Sequence, residues 1–126
     1  MYHTNVMLCL GAGFAVVALA TVPNEHERQG LRAALLSDST RQLIDISTDQ
    51  MGAFCGNMLQ LVSATTGEPV LVLSETALAA FTADQLDVLR RRTRLVSVNV
   101  STIERIGGGG ARCMLAEVFV PVPHVG

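Results

Sequence analysis

The sequence has no tryptophan, no lysine and a single tyrosine, and only 16% of its 126 residues are charged. With four phenylalanines as the other aromatics, the core has to be built from Val, Leu, Ile, Ala and Met. A net charge of −2, 49% hydrophobic residues and a mean hydropathy of +0.40 exclude an intrinsically disordered chain, which needs the opposite balance. A pI near 5.8 offers no basic footprint for phosphates, so no nucleic-acid partner is expected. The positive charge rests on nine arginines, a bias that nothing in the sequence connects to function. The length is that of one ordinary domain.

Cysteine is also scarce. Cys9, Cys55 and Cys113 are odd in number and widely spaced, with no C-x-x-C pair. His3, His26 and His124 do not fall at zinc-ligand spacing from them. The pattern suits free thiols in a reducing cytoplasm better than a secreted disulfide framework. Val6 to Val22 is a 17-residue run without a charge, and Ala18-Leu19-Ala20 resembles a signal-peptidase site. No Lys or Arg precedes that run, Gly11-Ala12-Gly13 breaks it, and its length is at the short limit for a membrane span. It reads better as a hairpin, and no membrane partner is expected.

What the sequence does contain is a repeat. Asn5-Val6-Met7-Leu8-Cys9-Leu10 is echoed by Asn57-Met58-Leu59-Gln60-Leu61. Each is followed by a Gly-containing turn and a second apolar run, Phe14 to Ala20 and then Val70 to Leu73. Both copies then enter helices. Pro23-Asn24 opens one, with Glu25 and Glu27 in its first turn and Leu31, Leu35 and Leu36 on one face. In the second copy Ser74 caps a short turn, and Thr82 caps a helix over Ala83 to Arg92. Each copy closes with an apolar strand, Gln42 to Ile46 and Leu95 to Val100. The expectation is an α/β chain of two ββαβ modules, roughly residues 1–50 and 51–100. A further strand opens at Arg112-Cys113-Met114-Leu115 and runs to Val122.

The repeat places chemistry-bearing residues at equivalent positions. His3 with Asn5, Cys55 with Asn57, and Arg112 with Cys113 all lie where a module's first strand begins. Modules arranged about a shared axis bring such positions together, so a His and a Cys 110 residues apart become neighbours. Four glycines, Gly107 to Gly110, precede Cys113 and free the backbone for tight turns and close approach. An adjacent guanidinium or imidazolium favours the thiolate, the reactive form of cysteine. These are the surroundings of a nucleophile. A phosphate loop is excluded, since neither Lys-Ser/Thr nor a helix is expected after the glycines.

Tyr2-His3-Thr4-Asn5-Val6-Met7, Phe54-Cys55-Gly56-Asn57-Met58-Leu59 and Ile103-Glu104 with the Gly107–Met114 stretch resemble the C-terminal half of the arginine-deiminase-related amidinotransferase family. The resemblance spans essentially the whole chain, in order. Gly110 departs from it, where a serine is expected. The family belongs to the guanidino-group-modifying superfamily, whose fold is a five-bladed ring of ββαβ modules, the pentein. The resemblance implies a single partial pentein domain over residues 1–126, with Cys113 as covalent nucleophile and His3 as general acid and base. The substrate is then a small guanidino or ureido compound, arginine- or citrulline-like, and neither metal nor organic cofactor is called for. Water as acceptor gives a hydrolase, and an amine gives an amidinotransferase.

Other candidates stay open between two roles. Asn5 and Asn57 either hydrogen-bond substrate or tie down strand ends. Arg112 either grips a substrate carboxylate or forms a structural ion pair. Glu104 either orients His3 or contacts the guanidinium, or else fixes the glycine loop. Two modules fall short of the five in the resembled fold. The chain is therefore expected to be a fragment completed by a missing N-terminal half, or part of an assembly such as a homo-oligomer. A non-catalytic pentein piece that acts by binding is the alternative to an enzyme.

Overall fold

The computed structural model describes residues 3–119. The first apolar run folds on itself at Ala12-Gly13. This pairs β1 (Leu8–Gly11) antiparallel with β2 (Phe14–Val17), Leu8 opposite Val17 and Gly11 opposite Phe14. The chain then leaves the sheet through α1 (Glu25–Leu35), whose Asn24 cap accepts from the Glu27 backbone. It returns as β3 (Gln42–Asp45), parallel to β2, the crossover that a helix makes possible.

The second module repeats this layout. β4 (Leu59–Val62) pairs antiparallel with β5 (Pro69–Ser74), and β6 (Arg94–Val98) lies parallel to β5. The connection carries α3 (Glu75–Ala80), capped by Ser74, and α4 (Ala83–Arg90), capped by Thr82. Each sheet thus has the order first, second, third strand, with the second strand central. Those central strands are the most buried: Phe14, Val16 and Val17 on β2, and Leu71 and Leu73 on β5, are inaccessible to solvent. Phe14, Val16, Ile44, Ile46, Leu71, Leu73 and Leu89 belong to one core shared by both modules. Val6 to Val22 is therefore mostly a hairpin, and no helix among the described residues is long and apolar enough to cross a membrane.

Two short helices escape the sequence reading. Each follows the third strand of a module: α2 (Thr48–Gly52) after β3 and α5 (Ser101–Gly107) after β6. The first begins with a Ser47/Gln50 capping box, the S-x-x-Q signature of a helix start. Gln50 also reaches across to the second module. Its Nε2 donates to Gln85 Oε1 at 2.7 Å and to the Ala80 carbonyl at 3.0 Å, while Gln85 Nε2 donates to the Asp45 carbonyl at 3.2 Å.

The first strands of the two modules, β1 and β4, lie side by side. Residues 115–119 run along Leu59 and Leu61 of β4 and line a groove of about 300 Å³ with them. The strand expected from Arg112 to Val122 is not there. Residues 111–114 form a 3-10 turn and 115–119 have no regular structure; positions 120–122 lie outside the described residues. A module's first strand is held by hydrogen bonds to its second, and no such second strand follows among the described residues.

Cys9 and Cys55 sit in the shared core, and burial pushes each thiol up from an ordinary 9.0 to about 12, with Arg112 partly offsetting this for Cys9. The unfolded chain therefore releases these protons first as pH rises. The stability linked to these two thiols is fully present below the unfolded value and is lost between about pH 9 and 12. Thermal melts should show Tm falling more steeply above pH 9 in the wild type than in a Cys9→Ala/Cys55→Ala variant. Equal slopes would mean that these thiols do not set the alkaline limit.

Candidate active site

His3 lies at the entrance of a 3-10 turn, Thr4–Val6, and its carbonyl accepts from the Val6 N–H at 3.1 Å. The turn delivers the chain into β1, so the imidazole is carried at the inner end of the first module. At the other end of the chain, α5 stops at Gly107, and Gly108 takes a left-handed conformation (φ 68°), with its N–H on the Glu104 carbonyl. Gly109 and Gly110 follow, both buried, and lead into the turn Ala111–Met114.

His3 and Cys113 line the same cleft, of about 560 Å³. Its walls are Val6, Met51, Phe54, Ile103 and Met114, and its floor includes Gly52 and Gly107 to Gly109. Cys113 is exposed there, whereas Cys9 and Cys55 are buried. The glycines are what allow this. A Cβ on Gly109 would come within 2.9 Å of Cys113 Cβ and 3.0 Å of its Sγ. One on Gly110 would lie 2.9 Å from Asn57 Oδ1, so the glycine that departs from the resembled family sits in a space where a side chain needs its neighbours to move.

The other sequence candidates fall into a different layer. Asn57 is completely buried and spends its amide on the protein. Its Nδ2 donates to the Asn5 carbonyl at 2.8 Å and to Cys113 Sγ at 3.3 Å, and its Oδ1 accepts from the Gly110 N–H at 3.0 Å. Asn5 meets this network through its backbone, and its own side-chain Oδ1 is buried without a partner among the described residues. Arg112 turns away from the cleft: Nη1 donates to the Leu115 carbonyl at 3.0 Å, and Nη2 is 4.0 Å from Glu117. Glu104 is buried on the far side of α5, where Oε2 accepts from the Thr76 hydroxyl at 2.7 Å.

The cleft walls were not legible as site residues. Met51 and Phe54 belong to the segment launched by α2, and the Ser47/Gln50 box is the signal that could have located it. Phe54 is the sole non-glycine with positive φ (66°) among the described residues, a conformation costing about 1–3 kcal/mol that concentrates at functional sites. Among the described residues, no three His, Cys, Asp or Glu side chains gather into a potential metal site.

Paired ββαβ modules with their first strands adjacent, a family match and a structural likeness together place the chain in the pentein class. Within it, the chain belongs to the family described as N,N dimethylarginine dimethylhydrolase, eukaryotic, which matches residues 1–120. In structure it is similar to the apo form of ArgZ, an arginine dihydrolase from the ornithine-ammonia cycle in cyanobacteria. The TM-score is 0.65 at 10% sequence identity over 90% of this chain. The chain spans 16% of the length of that protein. No curated protein matches it in sequence.

Because Gly109 leaves room for the thiol, Gly109→Ala should displace the Cys113 turn. The expected outcome is a loss of about 1–3 kcal/mol in denaturant unfolding, with the alkylation rate of Cys113 changed and Cys9 and Cys55 still protected. Unchanged stability and unchanged Cys113 reactivity would show that the turn has slack.

Proposed function

We propose that this cleft is the nucleophile side of an active site that hydrolyses a C–N bond of a guanidino or ureido compound, arginine-like or its N-methylated or citrulline-like relatives. The observation that carries the reading is that the exposed cysteine and His3, 110 residues apart, line one cleft. The family match and the likeness to an arginine dihydrolase support it, and both descriptions name hydrolases.

The chemistry follows from the two side chains. The Cys113 thiolate adds to the planar guanidinium carbon and forms a C–S bond. An amide anion leaves poorly at neutral pH, so the His3 imidazolium gives its proton to the departing nitrogen as the C–N bond breaks. The neutral imidazole then takes a proton from water, and the resulting hydroxide adds to the same carbon. Collapse breaks the C–S bond, releases a ureido product and returns the thiolate. The apolar walls, Val6, Met51, Phe54, Ile103 and Met114, restrict the water that reaches this intermediate.

No carboxylate lines the cleft among the described residues, although the substrate is a cation. Its counter-charges come from further modules, supplied by a longer chain or by another copy, closing a ring of five. In this reading residues 1–126 act as one partial pentein domain within that ring. Asn5, Asn57, Glu104 and Arg112 shape the site from behind and do not grip the substrate.

The test is site-resolved mass spectrometry after brief exposure to an alkylating amidine, in parallel with a neutral amide reagent of equal intrinsic reactivity. Cys113 should label preferentially with the amidine, and Cys9 and Cys55 should stay unlabelled. In the completed enzyme, Cys113→Ser should abolish turnover and His3→Ala should reduce it by at least about a hundredfold, without unfolding. Equal labelling of Cys113 by both reagents, or turnover that survives Cys113→Ser, would end this reading.

A further inference from the structure

The Asn57 amide joins three segments that are far apart in sequence: the entry turn at Asn5, the glycine loop at Gly110 and the thiol of Cys113. It lies in the inner turn of the second module, which contributes neither His3 nor Cys113. Its backbone carbonyl also faces the Arg112 N–H at 3.4 Å, so both sides of Asn57 hold the Cys113 turn. We propose that Asn57 is the positioning residue of the nucleophile: its Nδ2–H group stabilises the Cys113 thiolate and aims it into the cleft. The inference rests on the reading of Cys113 as the nucleophile.

The geometry separates this role from simple packing. Oδ1 is occupied by the Gly110 N–H, which fixes the orientation of the amide and turns its NH₂ group toward sulfur and the Asn5 carbonyl. An amide with both donors committed presents a hydrogen to Sγ, at 3.3 Å, whatever the substrate does. A donor to sulfur is stronger when the sulfur is charged, so it favours the form that attacks. The site is desolvated on the Asn57 side and open on the cleft side, since Asn57 is inaccessible while Cys113 is exposed. The thiolate is thereby held from behind, with its free face toward an incoming carbon.

Asn57→Asp keeps the size of the side chain and the acceptor for Gly110, but replaces the donor at sulfur with a carboxylate oxygen. Iodoacetamide alkylation of each cysteine, followed by mass spectrometry across a pH series, reads the effect without any substrate. Cys113 in Asn57→Asp should react about three- to tenfold more slowly near neutral pH, with its rate–pH profile displaced upward. Cys9 and Cys55 should remain protected, which reports that the fold is intact. A second comparison needs no variant: native wild-type Cys113 should react at lower pH than the same cysteine in the urea-unfolded chain. Coincident native and unfolded profiles would overturn the inference, as would an unchanged Cys113 profile in a folded Asn57→Asp. A Cys113 that responds to Asn57 but shows no preference for the amidine would sink the functional reading and leave this one standing.

Discussion

Everything at the inner end of the molecule hangs on one buried amide. Asn57 is inaccessible to solvent, so each of its polar atoms has to find a partner within the protein or cost the fold a desolvation penalty. Its partners lie 52, 53 and 56 residues away in sequence, at Asn5, Gly110 and Cys113. That single requirement of satisfaction fixes the entry turn against the glycine loop. The strands themselves do not do this: within each sheet they bond to members of their own module. Apolar packing in the shared core also joins the modules, together with the Gln50 and Gln85 contacts, Gln60 accepting from the Ala12 N–H at 2.7 Å, and Arg92 Nη2 donating to the Thr40 carbonyl at 3.3 Å.

The two linkers that build the cleft are variations on one device. After β3 and after β6 the chain makes a short helix, and a left-handed residue then reverses it toward the axis: Phe54 (φ 66°) in the first case and Gly108 (φ 68°) in the second. Glycine adopts that conformation without strain, whereas phenylalanine does so at a cost that its surroundings must offset. The phenylalanine lines the cleft with an aromatic ring, and the glycine leads into Gly109, whose missing side chain leaves room for Cys113. The same backbone reversal thus gives the cleft two different kinds of lining.

The modular plan was legible because its signals are local and repeated. The alternation of apolar runs with Gly-containing turns, and the caps Asn24, Ser74 and Thr82, translate directly into β1–β6 and their connecting helices. The equivalence of strand starts led to His3 and Cys113 sharing a cleft, although no local pattern links residues so far apart. What escaped was either short or relational. Helices of five and seven residues carry too little periodicity to be seen, even with a capping box in one of them. The strand expected at Arg112–Val122 is the opening of a further copy of the repeat, but a strand also needs a neighbour with free backbone groups. The orientation of Arg112 toward Leu115 and Glu117, and of Glu104 toward Thr76, depends on packing that no single residue type announces.

The order of the parts along the chain also has a meaning in time. His3 stands at the start of the first module and Cys113 beyond the end of the second, so synthesis makes the imidazole first and the thiol about a hundred residues later. When the thiol emerges, the six strands and the Asn57 cradle that hold it have already been made. Of the cysteines made earlier, Cys9 and Cys55, both end inside the core. The one exposed cysteine of the three is thus the last to be made, after the six strands and Asn57.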